Sequence, residues 1–104
     1  MQKTCIIHTS VCSRSEASLI ATTLIDLKLC ACVQMTGPGI STYRWKGKVE
    51  QAEEYYLSIK TNINHKDRVL EWLHQVHPYE LPEITWDLRD CSAQYTEWVD
   101  SEVG

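Results

Sequence analysis

The segment STYRWKGKVEQAEEYYLSIKT, residues 41–61, has the clearest strand pattern in the chain. Tyr55, Leu57 and Ile59 alternate with more polar residues, which is the period of two that a β-strand imposes. Upstream, WKGK at residues 45–48 contains a glycine, and glycine supplies the positive φ that tight hairpin turns need. The segment therefore predicts a long β-hairpin with its tip at residues 45–48.

The chain before this hairpin predicts a strand and then a helix. Residues 4–9, TCIIHT, are short and rich in β-branched side chains, which is typical of a buried strand. Ser13 and Glu16 form the capping-box pattern of a helix start. Apolar residues then recur at helical spacing at Ala17, Ile20, Ala21, Leu24 and Leu27.

A second extended segment leads into the hairpin. Residues 30–35 have strand character, and so do residues 40–45. Between them, Gly37-Pro38-Gly39 predicts a bend or bulge within one long strand rather than the end of it.

The chain after the hairpin predicts a helix, a strand and a short closing helix. Asn64 is the expected N-cap of the first of these. Its apolar face comprises Val69, Trp72, Leu73 and Val76. The proline-containing stretch HPYELPEI, residues 77–84, connects this helix to a strand in which Ile84, Trp86 and Leu88 alternate with polar residues, and Tyr95, Trp98 and Val99 indicate the closing helix.

The order of elements is βαββαβ plus a C-terminal helix, which predicts an α+β fold of the ferredoxin-like split βαβ type. Residues 1–104 are expected to form one domain. Right-handed crossovers put both main helices on one face of the sheet and leave the other face bare. A bare sheet face and an overhanging hairpin predict self-association, with a heterologous partner as the alternative.

Composition excludes several partner classes. The formal net charge is -4 with a pI near 5.5, so no nucleic acid is expected as a partner. The first apolar run is too short for a signal peptide or a membrane span, which predicts a cytoplasmic protein with no membrane contact. Five cysteines, an odd number with no CxxC motif, indicate reduced thiols rather than a disulfide framework.

The connector HPYELPEI is either a site or a rigid bend. Neutral imidazole is a good ligand for copper, zinc or nickel, so His77 is a candidate metal ligand, and Glu80 is a candidate ligand or orienting group. Alternatively, His77 and Tyr79 cap and pack a loop whose path the prolines fix.

Cys30, Cys32 and His8 are each either a metal ligand or a structural residue. Strand periodicity would put Cys30 and Cys32 on one face, and a thiolate such as Cys32 would favour Cu(I). Core packing is the alternative for both cysteines. His8, in the first strand, is either a ligand or a satisfied core histidine.

Polar and aromatic residues of the hairpin and the connector predict a ligand cleft at a subunit junction. Its candidate residues are Tyr43, Trp45, Glu50, Glu54, Lys60, Tyr79, Glu80 and Glu83. The alternative is that the charged residues of the strands form the solvent-exposed face of the sheet. Because no nucleophile with its base and no phosphate loop is visible, the sequence does not predict an enzyme.

Four stretches, CACVQ, STYRWKGKVEQAEEYYLSIKT, HPYELPEI and YTEW, in this order and spacing, resemble the CutA divalent-cation tolerance family over nearly the whole chain. The resemblance implies a ferredoxin-like subunit, similar in shape to the PII signalling proteins, that forms a homotrimer through its hairpin strands. It implies a role in tolerance of copper and other divalent metals, with copper binding in some members and acetylcholinesterase anchoring in animal relatives. It brings no agreed catalytic activity.

The resemblance also implies metal-associated positions, which fall on His8, Cys32 and His77. This chain departs from some bacterial members, which have cysteine at the position of His8 and a second histidine at that of Val76. Two hypotheses follow. The first is a cytoplasmic homotrimer that binds copper or another divalent metal. The second is a PII-like sensor or scaffold whose cleft takes a small organic anion or a partner protein, with incidental metal binding.

Overall fold

The computed structural model describes residues 2–104, which form four strands and three helices. The elements are β1 Lys3–Val11, α1 Arg14–Asp26, β2 Cys32–Trp45, β3 Lys48–Thr61, α2 Lys66–Val76, β4 Thr85–Asp90 and α3 Ala93–Glu102. All strand pairs are antiparallel, in the order β2-β3-β1-β4. The predicted ferredoxin-like α+β fold with a C-terminal helix is confirmed.

The main core lies between one sheet face and helices α1 and α2. Ile7 in β1 pairs with Ile59 in β3, and both side chains are fully buried. Leu24 of α1 and Leu73 of α2 belong to the same buried cluster. The odd-numbered residues of β1 and β3 therefore face both helices, as the apolar periodicities predict.

The C-terminal helix covers one end of the opposite sheet face, so the prediction that this face is entirely bare is wrong. Thr4 in β1 lies 3.1 Å from the Cys91 sulfur just before α3, and Lys60 Nζ lies 5.7 Å from the centre of the Tyr95 ring in α3. Ile6, between Thr4 and His8 on this face, is only 5% exposed. We call this face of the sheet the second face.

Strands β2 and β3 continue beyond the helices as a long arm. A register shift between Thr36 and Gly39 confirms the predicted bulge, and pairing then resumes as far as Trp45 and Lys48. The turn has positive φ at Lys46 and Gly47, which matches the twist of a two-residue hairpin. We call residues 39–54 the hairpin arm; the predicted hairpin and its tip are confirmed.

Helix caps are partly as predicted. Ser13 Oγ accepts a hydrogen bond from the Glu16 backbone N–H at 3.3 Å, so α1 begins as expected. The expected cap at Asn64 is wrong because the N-cap of α2 is His65. Asn62 Oδ1 instead accepts from the His65 N–H at 3.0 Å, since the tight turn brings a side chain three residues upstream onto the helix end. No helix within residues 2–104 has the length and hydropathy needed to cross a membrane.

Candidate functional site

His8 lies on the second face of the sheet beside an acidic residue. Its Nε2 is 3.6 Å from Asp87 Oδ2, and its Nδ1 is 3.4 Å from Ser58 Oγ. The His8 side chain is 36% exposed. His8 is therefore a surface-facing histidine beside a carboxylate, not a core residue.

Cys32 faces the same side as His8 without approaching it. Cys32 pairs with Lys60, and Lys60 pairs with Ile6, which is two residues from His8 in β1. Two strand spacings across and two residues along put the backbones of Cys32 and His8 about 12 Å apart. These two candidate ligands are not brought together within one chain.

Cys30 belongs to the core rather than to the second face. It precedes β2, it is 2% exposed, and it packs in the helix-side cluster. Burial raises the pKa of its thiol to about 12. The prediction that Cys30 and Cys32 share one strand face is wrong, because β2 begins only at Cys32.

His77 closes α2, and both of its ring nitrogens have protein partners. Nδ1 accepts a hydrogen bond from the Tyr79 backbone N–H at 3.2 Å. Nε2 lies 3.0 Å from the Ser10 carbonyl oxygen and 3.0 Å from Thr9 Oγ1. A carbonyl can only accept, so Nε2 carries the proton and the ring is a neutral tautomer that bridges the connector to β1. Burial lowers the His77 pKa, with the hydrogen bond to Ser10 opposing it.

The three predicted metal ligands are therefore distributed over the molecule. His8 and Cys32 lie apart on the second face, and His77 serves as a clamp at the end of β1. Within residues 2–104, no three His, Cys, Asp or Glu side chains are grouped so that they could hold a metal ion. The side chains of the described residues therefore do not form a complete metal site by themselves.

Most of the predicted cleft residues do come together. A cleft of about 690 Å³ lies between the hairpin arm, the end of β1 and the connector. Its lining comprises Ser10, Cys12, Ser41, Tyr43, Arg44, Trp45, Ala52, Glu54, Tyr79, Glu80, Leu81 and Glu83. Lys60 and Glu50, which the sequence also suggested, are not among these residues. Lys60 lies at the opposite end of β3, beside Tyr95.

The β2 bulge decides which side chains face the cleft. Before it, even-numbered residues such as Gln34 pair with Ser58 on the second face. After the register shift, the odd-numbered Ser41 and Tyr43 pair with Ala52 and Glu50, so they are the ones on that face. A bulge thus turns Tyr43 and Trp45 towards the cleft.

Glu54 forms the floor of the cleft and is held by hydroxyl groups. It is 7% exposed, and its Oε2 accepts hydrogen bonds from Tyr79 OH at 2.7 Å and Ser10 Oγ at 3.0 Å. Burial alone would raise the Glu54 pKa, but the hydroxyls of Ser41, Tyr79 and Ser10 together outweigh it and hold the pKa below its ordinary value. Burial and the neighbouring Glu54 carboxylate raise the pKa of Tyr79, which therefore stays a proton donor.

His77 anchors the connector to β1, and this contact positions Tyr79. The His77 and Tyr79 rings meet edge to face with centroids 4.9 Å apart, and the His77 ring is tied to the end of β1. The sequence prediction did not include six residues that line the cleft, which are Ser10, Cys12, Ser41, Arg44, Ala52 and Leu81. Strand register is the signal that could have indicated Ser10, at the end of β1 opposite Tyr56, and Ser41, which lies opposite Ala52.

Comparisons with known proteins identify the family to which the chain belongs. Residues 5–102 match the family model described as CutA1 divalent ion tolerance protein. The Divalent-cation tolerance protein CutA of Yersinia pestis (strain Pestoides F) is 33% identical over 90 residues, which cover 86% of this chain and 76% of that protein.

Solved structures match over almost their full length. CutA from Xylella fastidiosa superposes with a TM-score of 0.92 at 32% identity, covering 97% of this chain and 98% of that one. CutA from Synechococcus elongatus PCC7942 complexed with a Bis-Tris molecule gives 0.90 at 31% identity, covering 99% and 96%. Fold and cleft define a small ferredoxin-like α+β protein. Within that class, the chain belongs to the CutA1 divalent ion tolerance protein family.

Proposed function

We propose that this chain acts in the cytoplasm as a homotrimeric divalent-cation tolerance protein that binds copper or another divalent metal. The observation that carries the proposal is the family match over residues 5–102, together with curated relatives named for divalent-cation tolerance. The family is named for tolerance of divalent ions rather than for a reaction.

Exposed apolar residues of the hairpin arm support assembly. Ile40 is 63% exposed and Val49 is 65% exposed, on an arm that helices α1 and α2 do not cover. Trp86 and Leu88 on edge strand β4 are about half exposed. Apolar surface of this kind and unpaired strand edges favour contact with further copies of the chain.

Light scattering on matched variants tests the assembly. Val49→Asp on the arm should reduce the trimer to smaller species, while Leu19→Asp, at an equally exposed position on α1, should leave it intact. A monomer in the unmodified protein, or equal effects of the two variants, would contradict the proposal.

His8 and Asp87 support a metal site that a neighbouring subunit completes. One chain offers only an imidazole and a carboxylate 3.6 Å apart, whereas zinc takes four ligands in structural sites. Arg89 also lies 3.7 Å from Asp87, so a metal ion would compete with that guanidinium for the carboxylate. We assign His77 to the fold, since both its nitrogens are engaged, and we keep Cys32 as a separate thiolate that favours Cu(I).

Calorimetric titration of the metal-free protein with Cu(II) and with Zn(II) tests this assignment. His8→Ala should weaken binding by at least about tenfold, because loss of one direct ligand removes a coordinate bond. His74→Ala removes an exposed histidine of α2 and serves as the control. Binding that is unchanged in His8→Ala would rule out the site.

A second candidate function is a sensor that takes a small molecule in the cleft. The observation in favour is a cleft whose floor is held by the hydrogen bond between Tyr79 and Glu54. The similar CutA structure from Synechococcus elongatus PCC7942 is a complex with Bis-Tris, an amine with several hydroxyl groups. We propose that this chain accepts a ligand in its own cleft.

Tryptophan fluorescence during a Bis-Tris titration tests the second candidate. Trp45 is the one tryptophan among the lining residues, so Trp45→Phe should abolish the ligand-dependent signal. Trp98→Phe, in α3, should keep it. A signal that survives Trp45→Phe would place the ligand elsewhere.

A further inference from the structure

The buried carboxylate at the floor of the cleft has no cationic side chain in direct contact among residues 2–104. Glu54 is 7% exposed, yet among residues 2–104 no lysine, arginine or histidine nitrogen lies within 4 Å of its carboxylate. Its hydrogen-bond partners Tyr79 and Ser10 are neutral. Buried charges in proteins are normally paired or bound to an ion, since an unpaired one is costly.

Neutral donors hold this carboxylate in its charged form without cancelling the charge. Both hydrogen bonds shorter than 3.5 Å go to Oε2, and they fix the orientation of the group from the Ser10 and Tyr79 sides. Glu54 nevertheless lines the cleft. An oriented anion that reaches a cavity is complementary to a cationic group placed in that cavity.

The other charged residues that line the cleft are also mostly negative. Glu80 and Glu83 add two carboxylates, against the single guanidinium of Arg44. This excess disfavours the small organic anion that the sequence suggested. Tyr43 supplies an aromatic ring, which also attracts cations, whereas the Trp45 ring already has Lys46 Nζ 5.7 Å from its centre.

The shape of the cleft favours an organic cation over a metal ion. The three carboxylates are not grouped as metal ligands within the described chain, and the cleft volume of about 690 Å³ is that of a small-molecule site. The hydroxyls of Ser10 and Ser41 offer further hydrogen bonds near Glu54.

We propose that the cleft binds a hydroxyl-bearing organic ammonium ion whose charged nitrogen pairs with Glu54. This inference rests on the proposed ligand cleft and names the chemical class of its ligand. Tyr79 acts as a positioning residue, since its hydroxyl orients the Glu54 carboxylate.

A matched pair of probes isolates the charge. Protonated Tris and trimethylolethane share three hydroxymethyl groups on one carbon and differ in an ammonium group against a methyl group. In phosphate buffer near neutral pH, calorimetry should show that Tris binds about tenfold or more tightly than trimethylolethane, because only Tris makes a charge-assisted contact.

Variants identify the carboxylate that pairs with the ammonium group of the ligand. Glu54→Gln keeps the size of the side chain and removes its charge, so it should abolish the preference for Tris. Glu50→Gln removes an exposed carboxylate of the same arm that does not line the cleft, and it should change nothing. Circular dichroism and light scattering confirm that each variant keeps its fold and assembly. Tyr79→Phe should reduce the preference without abolishing it.

Four other outcomes would contradict the proposal, and each has a different meaning. Equal binding of the two probes excludes recognition of a cation but leaves the cleft as a ligand site. No Tris binding at tens of millimolar excludes this ligand class, and the metal titration and the assembly test still decide the divalent-cation role independently. A preference for Tris that survives Glu54→Gln, or a Zn(II) site lost in Glu54→Gln without Tris binding, also contradicts the proposal.

Discussion

The two halves of strand β3 lie in different environments, and different contacts stabilise them. Leu57 is 1% exposed beneath helices α1 and α2, whereas Val49 is 65% exposed eight residues earlier, although the alternation of the strand puts both on the same face. The half of the strand under the helices is stabilised by the burial of its apolar side chains. The hairpin arm extends beyond the helices and depends on the cleft contacts and, as we propose, on a neighbouring subunit.

Truncation of Leu57 should have the largest effect on stability. Leu57→Ala removes a fully buried side chain and leaves a cavity, so we expect a loss of about 3 kcal/mol in the free energy of unfolding. Val49→Ala should cost about 1 kcal/mol or less, because this side chain is mostly exposed within one chain and loses only contacts with a neighbouring subunit. Urea unfolding at one fixed protein concentration measures both, and similar losses would show that the two regions are not distinct.

The boundary between the two regions is sensitive to one added methyl group. A Cβ atom on Gly39 would lie 2.6 Å from the Tyr56 ring, so Gly39→Ala should cost about 1–3 kcal/mol as the ring or the bulge shifts. Adding Tyr56→Ala removes the clash, and the combined loss should then be smaller than the sum of the two single losses. Additive losses in thermal unfolding would rule out this contact as the cause.

The clamp between the connector and β1 predicts a pH dependence. The His77 pKa is lower in the folded chain, so the unfolded chain binds more protons as pH falls below about 6.5. The stability is therefore complete above about pH 6.5 and decreases as pH falls towards the folded pKa. Urea unfolding at about pH 7.5 and about pH 5 should show a smaller decrease in His77→Gln than in the unmodified protein. An equal decrease would exclude His77 as the source.

Cap residues of α2 should give the smallest effect. Asn62→Ala removes the acceptor for the His65 backbone N–H and should cost about 1 kcal/mol. Asn64→Ala, at an exposed position of the same turn, should stay within about 0.5 kcal/mol of the unmodified protein. The opposite ranking in chemical denaturation would restore Asn64 as the cap.

The sequence predicted the elements of the fold well because each has a local period. Alternation at Tyr55, Leu57 and Ile59 and the turn at Gly47 reveal the hairpin, and Ser13 marks the start of α1. Tyr43, Trp45, Tyr79 and Glu80, which the sequence groups as cleft residues, line one cavity in the structure, and they come from two stretches rich in polar and aromatic residues. Their use by a ligand stays a proposal.

The remaining site assignments needed distances that no local pattern supplies. Lys60 shares a strand with Glu54 but lies at its other end, beside α3. His77 could be either ligand or clamp from its residue type, and only the positions of Ser10 and Tyr79 show that both ring nitrogens are engaged. Cys30 and Cys32 differ in environment because β2 begins between them.

By itself, the sequence determined the order of strands and helices and the face that each helix buries, because periodicity and capping act over a few residues. Only the tertiary structure decided what the second face holds. The bulge before Gly39 reverses the orientation of every later residue in β2, and α3 covers the far end of the face. Glu54 is buried with no cationic nitrogen of residues 2–104 within 4 Å of its carboxylate. These features depend on register and on contacts between distant segments, and neither is encoded in the composition of any single stretch.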